Sequence, residues 1–173
     1  LHDALPILTY LFNISTCLLY QGKYIEAQKK FEKCLDAYIK NFGQNHINVL
    51  RTMNQLAFVE YLLGNYNQAL NLCLESQEIA KALFTEEEPM LAQTLDISGF
   101  CKLEEGEIES AIASFERSLY IKEKSYHLEH PDLAITYLGL GKAYVEGNVL
   151  LRALETLDKA IDIDVKNFGE RGR

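Results

Sequence analysis

The chain has 173 residues, of which 48% are hydrophobic and 24% charged, proportions that are typical of a globular protein and unlike those of a disordered chain. Its formal net charge is −8, with acidic and basic residues interleaved. This pattern argues against binding of a nucleic-acid backbone, because such binding requires clustered Lys and Arg. No apolar run approaches the roughly 20 residues that a membrane-spanning helix needs, so we expect no membrane partner.

The first seven residues, Leu-His-Asp-Ala-Leu-Pro-Ile, do not fit the pattern of the rest of the chain. One reading frame of a widely used sequencing adapter, CTACACGACGCTCTTCCGATC, encodes the same peptide. We therefore interpret residues 1–7 as translated adapter and expect native sequence to begin near Leu8. The alternative is a divergent natural helix start with Pro6 in its first turn. On the adapter interpretation, the chain is a fragment of a longer protein.

A period of 42 residues organises the remaining sequence. Alanine recurs with this spacing at positions 27, 69, 111 and 153, and five residues before each alanine stands a turn residue: Gly22, Gly64, Gly106 and Asn148. A helix that ends at this point needs a left-handed residue just after it, and glycine adopts that conformation most easily, followed by asparagine. The period therefore predicts four repeats, at about residues 8–47, 48–89, 90–131 and 132–173.

Each repeat contains two apolar patterns of helical period, one on either side of the turn residue. Pro89 and Pro131 suit the first position of a helix, with Glu88 and His130 as the boundary residues before them. No alternating pattern typical of a strand is present. The sequence therefore predicts an all-α protein built from helical hairpins. One hairpin cannot bury its own apolar faces, so the hairpins should stack and share a core.

The four cysteines form no CxxC pair and lack the spacing of metal ligands. They are Cys17, Cys34, Cys73 and Cys101. All four fall on repeat positions that we expect to be buried, so we predict free, reduced core thiols rather than redox or metal-binding groups. This cysteine usage favours a cytoplasmic protein.

The repeats resemble the tetratricopeptide consensus. Tyr137-x2-Leu140-Gly141-x2-Tyr144 followed by Ala153-x3-Leu157 matches it, with Tyr in place of the usual Trp. A small residue recurs where the two helices should cross closely, at Ser15, Ala57, Gly99 and Gly141. The period and the loop "HLEHPDLA" resemble the kinesin light chain type of this repeat. HEAT-type repeats have similar periods but lack the turn in which Gly stands five residues before the repeated Ala. The resemblance implies a right-handed α-solenoid of about four hairpins.

In this family the first helix of each repeat lines the concave face, so the resemblance implies a peptide-binding groove there. Polar amides would hold the backbone of an extended peptide, and aromatic residues would take its side chains. By resemblance, Asn13, Asn54 and Gln55 contact the peptide backbone. The predicted groove comprises Asn13, Thr16, Arg51, Asn54, Gln55, Phe58, Tyr61, Asp96, Phe100 and Lys142, and the fourth repeat adds Ile135, Leu138 and Val145. The alternative is a groove that is only solvated, or filled by a neighbouring segment of the full protein.

Two clusters in the sequence contain residue types that can bind a metal ion or act as an acid–base pair. "HLEH" (127–130) lies in an inter-repeat loop, where His130 is a helix-boundary residue as His46 is earlier in the chain, so we expect a structural role rather than a metal site. "TEEE" (85–88) is expected to be a solvated loop in which Thr85 or Glu88 caps the next helix. No phosphate loop or nucleophile elbow is present, so we predict neither an enzyme nor a cofactor.

The sequence therefore predicts a protein-interaction scaffold with a protein or peptide partner. The alternative is a regulatory or oligomerising arm of a larger enzyme or signalling ATPase, whose effector domain lies outside this chain. The Lys-and-Arg clamp of chaperone-binding tetratricopeptide domains is not visible, because Arg51 is the only suitably placed cation in the first three repeats. Recognition of chaperone C-termini is therefore disfavoured.

Two expectations concern packing. Glu60 and Lys102 stand at equivalent places where the family usually has Tyr, and they could form a weak surface pair. The last helix, from about Leu150 to Asn167, carries an apolar stripe of which only part can pack on its hairpin partner. We expect the rest to be exposed, the helix to fray after about Val165, and the chain to self-associate through this helix.

Overall fold

The computed structural model describes residues 4–84 and 88–169, and these form eight helices and no strand. The helices are α1 (Ala4–Tyr20), α2 (Tyr24–Phe42), α3 (Ile47–Leu62), α4 (Tyr66–Leu83), α5 (Pro89–Glu104), α6 (Ile108–Ser125), α7 (Pro131–Glu146) and α8 (Leu150–Phe168). The chain divides into two compact units, Leu1–Thr85 and Glu86–Arg173, and each contains two helical hairpins. Helices α3, α5 and α7 begin one residue before the repeat boundaries that the sequence predicts.

In the first unit, α1 packs against α2, α2 against α3, and α3 against α4. Phe31 of α2 is completely buried, and its ring lies edge-on to that of Phe12 in α1 with centroids 5.6 Å apart. The thiol of Cys34 donates to the carbonyl oxygen of Leu8 at 3.7 Å. The core of this unit therefore lies between consecutive helices, as stacked hairpins require.

In the second unit, the completely buried Phe115 of α6 belongs to a core cluster that includes residues of α5, α7 and α8. This ring lies very close to α5 and α7. If Gly99 of α5 carried a Cβ atom, that atom would lie 2.8 Å from the ring, and a Cβ atom on Gly139 of α7 would lie 2.4 Å from it. A Cβ atom built on Gly141 would likewise lie 2.5 Å from the side chain of Leu157 in α8. The expected close crossings at Gly99 and Gly141 are therefore confirmed, and Gly139 adds one that the sequence analysis missed.

The four predicted turns are confirmed. Gly22, Gly64 and Gly106 have φ angles of +73°, +79° and +79°, and Asn148 has +58°. In each case the following amide bonds back to a carbonyl in the last turn of the helix, as Asn65 N does to Glu60 O at 2.9 Å. This hydrogen-bond pattern satisfies carbonyl groups that the end of a helix would otherwise leave unpaired.

The structural role predicted for His46 and His130 is also confirmed. Each imidazole Nδ1 accepts a hydrogen bond of 3.2 Å from the backbone amide two residues later, and so caps α3 or α7. Pro89 and Pro131 occupy first helical positions. Glu88 stands at the N-cap of α5, but its side chain makes no capping hydrogen bond, so that candidate cap is wrong. The other candidate, Thr85, lies outside the described residues.

Two expectations about burial and helix length are wrong. Cys34, Cys73 and Cys101 are buried, but Cys17 is exposed on α1. Helix α8 continues to Phe168, beyond the point at which we expected it to fray. Of the segment that we interpret as adapter, residues 1–3 lie outside the described residues, and residues 4–7 begin α1.

Candidate functional site

The predicted groove residues of the first unit lie on α1 and α3, which contact each other. Asn13 and Arg51 are exposed, and Thr16, Gln55, Phe58 and Tyr61 are half-buried. The guanidinium carbon of Arg51 lies 4.7 Å from the centroid of the Phe12 ring, so the cation joins the two helices through a cation–π contact. The rings of Phe58 and Tyr61 are stacked, with centroids 6.3 Å apart. This surface combines one cation, amides and aromatic rings.

Asn54 does not lie on that surface. Its side chain is only 2% exposed, so the expectation that Asn54 faces a solvent-filled groove is wrong. The repeat contains the reason: 42 residues earlier stands Phe12, which is also buried. Asn54 therefore occupies a core position of the hairpin, whereas the neighbouring Gln55 is half-buried at the surface.

In the second unit, the predicted groove residues of α7 are exposed. Lys142 is flanked along this face by Ile135, Leu138 and Val145, all of them large apolar side chains with substantial exposure. The spacing of three, four and three residues places them on one side of the helix. Helix α7 therefore presents an apolar stripe with a single cation to solvent.

Asp96 is buried, so its assignment to a solvent-facing groove is also wrong. Its carboxylate accepts a hydrogen bond of 2.5 Å from Lys122 Nζ, and the two form a buried ion pair between α5 and α6. The same ammonium donates to the carbonyl oxygen of Asp132 and to Thr136 Oγ1, each at 2.9 Å. Thr136 Oγ1 in turn donates to the Asp96 carboxylate at 3.1 Å. All three ammonium protons thus have acceptors.

This polar cluster connects three helices of the second unit. Burial raises the pKa of the Asp96 carboxyl above its ordinary value, and the attraction of Lys122 opposes that effect only in part. The sequence analysis missed Lys122 and Thr136. A signal was present, since the residues equivalent to Lys122 in the first two repeats are Tyr38 and Ala80, and both are buried.

Phe100 contributes mainly to the core. Its ring lies edge-on to Phe115 with centroids 4.9 Å apart, and it packs against the cluster around Phe115 while remaining half-buried. The predicted groove residue Phe100 is therefore half-buried like Phe58 and Tyr61, but part of its ring belongs to the core.

Glu60 and Lys102 each have partners inside their own unit. Glu60 is completely buried, and its carboxylate accepts from Gln28 Nε2 at 2.6 Å and from Asn65 Nδ2 at 2.8 Å. Lys102 Nζ donates to Ser114 Oγ at 3.0 Å. The expectation that Glu60 takes part in a surface pair is wrong, because its carboxylate joins α2 to the turn after α3.

Comparison with known proteins identifies the repeats. The tetratricopeptide repeat family matches residues 6–82, 48–124 and 90–164, and thus most of the chain. The chain belongs to the tetratricopeptide repeat family. Two of the matches start at positions 48 and 90, where the sequence analysis places repeat boundaries. The fold class is an all-α helical-repeat solenoid.

Solved structures share this tetratricopeptide fold at low sequence identity. BtubC (BKLC) from P. vanneervenii is 20% identical with a TM-score of 0.79, over 96% of this chain and 65% of that protein. A structure of kinesin light chain nearly identical TPR-like repeats from Podosopora anserina is 20% identical to this chain. Its TM-score is 0.76, and the match covers 92% of this chain and 75% of that one. Aspartyl phosphate phosphatase F from Bacillus subtilis is 21% identical with a TM-score of 0.78, and the match covers 94% of this chain and 41% of that protein.

A curated relative is the clustered mitochondria protein homolog of Xenopus tropicalis. It is 21% identical over an alignment of 164 residues, and the alignment covers 92% of this chain but 12% of that protein. The tetratricopeptide chain therefore spans a small part of the length of this relative.

The tetratricopeptide hairpins of the second unit also form a cleft of about 330 Å³ between α6 and α8. Two hydrogen bonds cross its floor: Tyr144 Oη donates to Glu116 at 2.9 Å, and Tyr137 Oη donates to Glu123 at 2.8 Å. Burial, assisted by these carboxylates, raises the pKa of both phenols, which therefore remain donors at neutral pH. Neutral tyrosines of α7 that donate to glutamates of α6 therefore join these two helices at the cleft.

The part of the tetratricopeptide chain that the structure describes contains no cluster of three or more His, Cys, Asp or Glu side chains suited to a metal ion. Within those same residues, no helix is both long and apolar enough to cross a membrane.

Proposed function

We propose that this chain is a protein-interaction scaffold that binds an extended peptide segment of a partner along the first helices of its hairpins. The observation that carries the proposal is the surface of α1 and α3, where the exposed Arg51 lies over the ring of Phe12. Asn13 and Gln55 offer amide groups on the same two helices, and Phe58 offers an aromatic face. This combination favours a peptide with an accessible backbone, an acidic side chain and apolar side chains.

The exposed stripe of α7 supports the same proposal in the second unit. Ile135, Leu138 and Val145 form an apolar surface, and Lys142 is its cation. Because the chain has a net charge of −8, a strongly acidic partner would be repelled at long range. We therefore propose, for each unit separately, a mostly apolar partner segment with an isolated acidic side chain opposite the cation of that unit, which is Arg51 in the first unit and Lys142 in the second.

The test is selection of binding peptides from a displayed random library, followed by titration of a labelled selected peptide. For a peptide bound by the first unit, Arg51→Gln and Phe58→Ala should each weaken binding by about tenfold if these residues are binding hot spots, and Lys142→Gln should do so for a peptide bound by the second unit. Asn54→Ala is not a suitable test, because Asn54 is buried and the change would affect the fold.

Arg152→Gln and Leu74→Ala are the matched controls, because both side chains are exposed and lie outside the proposed surface. Each should bind the peptide as the wild type does, with unchanged circular dichroism. Undiminished binding by all three groove variants would refute the proposal, as would equal losses in the controls.

A further inference from the structure

A groove runs along the second unit between α6 and α8, and α7 forms its floor. Both outer helices pack against α7. The cleft of about 330 Å³ is one part of this groove, and a cavity of about 370 Å³ continues it, because the two share Glu123, Tyr137 and Lys159. Along α8 the lining extends from Arg152 to Lys166, which is roughly 21 Å at about 1.5 Å per residue. The groove is therefore long enough for a segment of polypeptide.

The two walls of the cleft present side chains at the same helical spacing. The α6 wall consists of Glu116, Leu119, Tyr120 and Glu123. The α8 wall consists of Arg152, Glu155, Thr156 and Lys159. Residues spaced by three, one and three lie on one face of a helix, so each wall is a single helix face. The α6 face has an apolar pair between two carboxylates, and the α8 face has a cation at either end.

Tyrosines of the floor separate these opposite charges. Tyr144 donates to Glu116 at 2.9 Å, and Tyr137 donates to Glu123 at 2.8 Å. The two cations of α8 lie over the rings of the same tyrosines, 5.9 Å and 5.5 Å from the centroids. Both glutamates are exposed, and a carboxylate has about four acceptor sites, of which a tyrosine hydroxyl uses one. The carboxylates of α6 can therefore accept from a partner as well.

The α8 wall is a face that a following helix leaves uncovered. On α6, which α7 follows, the residues equivalent to this wall are Ser110, Ala113, Ser114 and Arg117. Ser110 and Ala113 are exposed and Arg117 is half-buried, whereas Ser114 is buried, as the equivalent Thr156 is on α8. The exposure of the α8 wall is therefore a property of its position in the repeat.

Carboxylates outnumber cations in the groove. With Glu129, Asp162 and Lys166 at its far end, the lining contains five carboxylates and three cations. Lys166 pairs with Glu129 at 2.9 Å, and the other two cations lie over the tyrosine rings of the floor. The net charge of −8 adds a long-range attraction for cations. A partner in the groove therefore gains most from basic side chains opposite the carboxylates of α6.

We propose that the groove binds a helical segment of a partner protein in which two basic side chains, seven residues apart, flank an apolar pair. Glu116 and Glu123 are also seven residues apart, which is about 10.5 Å along a helix, so the charges match in spacing. An extended segment fits less well, because residues three apart span about 10 Å but point to opposite sides. The apolar pair contacts Leu119 and Tyr120, at spacings that anchor a helix in a groove.

This site goes beyond the proposed peptide surface, which lies on α1, α3 and the exposed stripe of α7. Two labelled helical peptides test it in titrations of the full chain followed by fluorescence anisotropy. The basic peptide has arginine at positions i and i+7 and leucine at i+3 and i+4 on an alanine-rich background, and the acidic peptide has glutamate in place of both arginines. The basic peptide should bind about tenfold more tightly than the acidic one, and added salt should weaken its binding, because the paired charges are partly exposed.

Substitutions in the α6 wall test the contacts themselves. Glu116→Gln/Glu123→Gln should weaken binding of the basic peptide by about tenfold, while glutamine can still accept from the tyrosine hydroxyls. Tyr120→Ala leaves both of these hydrogen bonds in place but removes part of the apolar contact, so it should weaken binding as well. Circular dichroism should show unchanged helix content in both variants.

Glu32→Gln/Glu75→Gln is the matched control, because it removes the same charge from two exposed positions of the first unit. It should bind the basic peptide as the wild type does, and so should Lys142→Gln, which alters the other proposed surface. Failure of the basic peptide to bind would overturn the proposal, and equal or tighter binding of the acidic peptide would do the same. An equal loss in the matched control would show only a general attraction between charges and would also contradict a site between α6 and α8.

Discussion

Lys122 of α6 places its ammonium nitrogen 2.5 Å from a carboxylate oxygen of Asp96 on α5, and both side chains are buried. The pair also bonds to Thr136 of α7, so three consecutive helices share one polar cluster. Removing two charges from water costs free energy that their mutual attraction offsets only when the remaining hydrogen bonds are made. Here the lysine donates to three acceptors, so the pair is fully bonded.

The first prediction is that Lys122→Met destabilises the chain by about 3 to 5 kcal/mol at neutral pH, because it leaves the Asp96 carboxylate buried without its counter-charge. Urea denaturation of the full chain measures the loss. Lys142→Met is the matched control, since Lys142 is exposed on α7, and it should change stability little. The double variant Asp96→Leu/Lys122→Met should recover much of the loss, whereas an equally unstable double variant would contradict this account.

The second prediction concerns pH. Burial raises the pKa of Asp96, so the folded state binds this proton more tightly than the unfolded state does. The resulting stabilisation is complete below the unfolded pKa of about 3.9 and is lost as the pH rises through the folded value. Lys122→Met removes the attraction that opposes this rise, so the pKa of Asp96 should increase further. The loss in free energy of unfolding that Lys122→Met causes should therefore grow with increasing pH.

Denaturation of both proteins at several pH values measures that deficit. The double variant Asp96→Leu/Lys122→Met lacks both groups and should not share the pH dependence of Lys122→Met. A deficit that is constant across the acidic range would show that Asp96 does not titrate as this account requires.

Sequence reasoning predicted the turns and the repeats well, because their requirements are local. The residue at Gly64 or Asn148 must adopt a left-handed conformation whatever surrounds it, and few residue types do so easily. Helical period and repeat spacing likewise located the hairpins, since each repeat makes the same kind of contact with its neighbour.

The candidate site was harder to predict, because exposure depends on packing between helices. Asp96 and Asn54 were assigned to the groove from the register of the first helices and, for Asn54, from the family resemblance, although Phe12 at the equivalent position of the first repeat indicated a buried site. Lys122 was missed because lysine is rarely buried unless it is paired. Cys17 was misplaced for the opposite reason: its equivalents are buried, but within the described residues no helix covers that face of α1.

The third prediction is that Gly64→Val lowers the stability of the chain through backbone strain alone. Gly64 has a φ angle of +79°, and within the described residues nothing lies within 4 Å of an added Cβ. The left-handed conformation costs about 1 to 2 kcal/mol for a residue that carries a β-carbon. Thermal denaturation should show a lower midpoint for Gly64→Val and a smaller decrease for Gly64→Asn. The reciprocal change, Asn148→Gly, should not destabilise the chain, and a decrease there would refute this explanation of the turns.

The last prediction concerns the close approach of α6 and α7. Replacing glycine by alanine inside a helix usually stabilises it by about 0.5 to 1 kcal/mol. At Gly139 the new Cβ would lie 2.4 Å from Cε1 of Phe115, a ring that is completely buried and cannot move aside freely. Gly139→Ala should therefore destabilise the chain, by about 1 to 3 kcal/mol as in other overpacked cores.

A double-mutant cycle with Phe115→Leu separates steric conflict from other effects. Phe115→Leu alone should be destabilising because it leaves a cavity beside α5 and α7. In its background, however, Gly139→Ala should cost much less than in the wild type, since the ring that it meets is absent. Equilibrium denaturation of the four proteins gives the coupling energy between the two positions. A coupling energy near zero would show that the loss in Gly139→Ala arises elsewhere than at the contact between this glycine and Phe115.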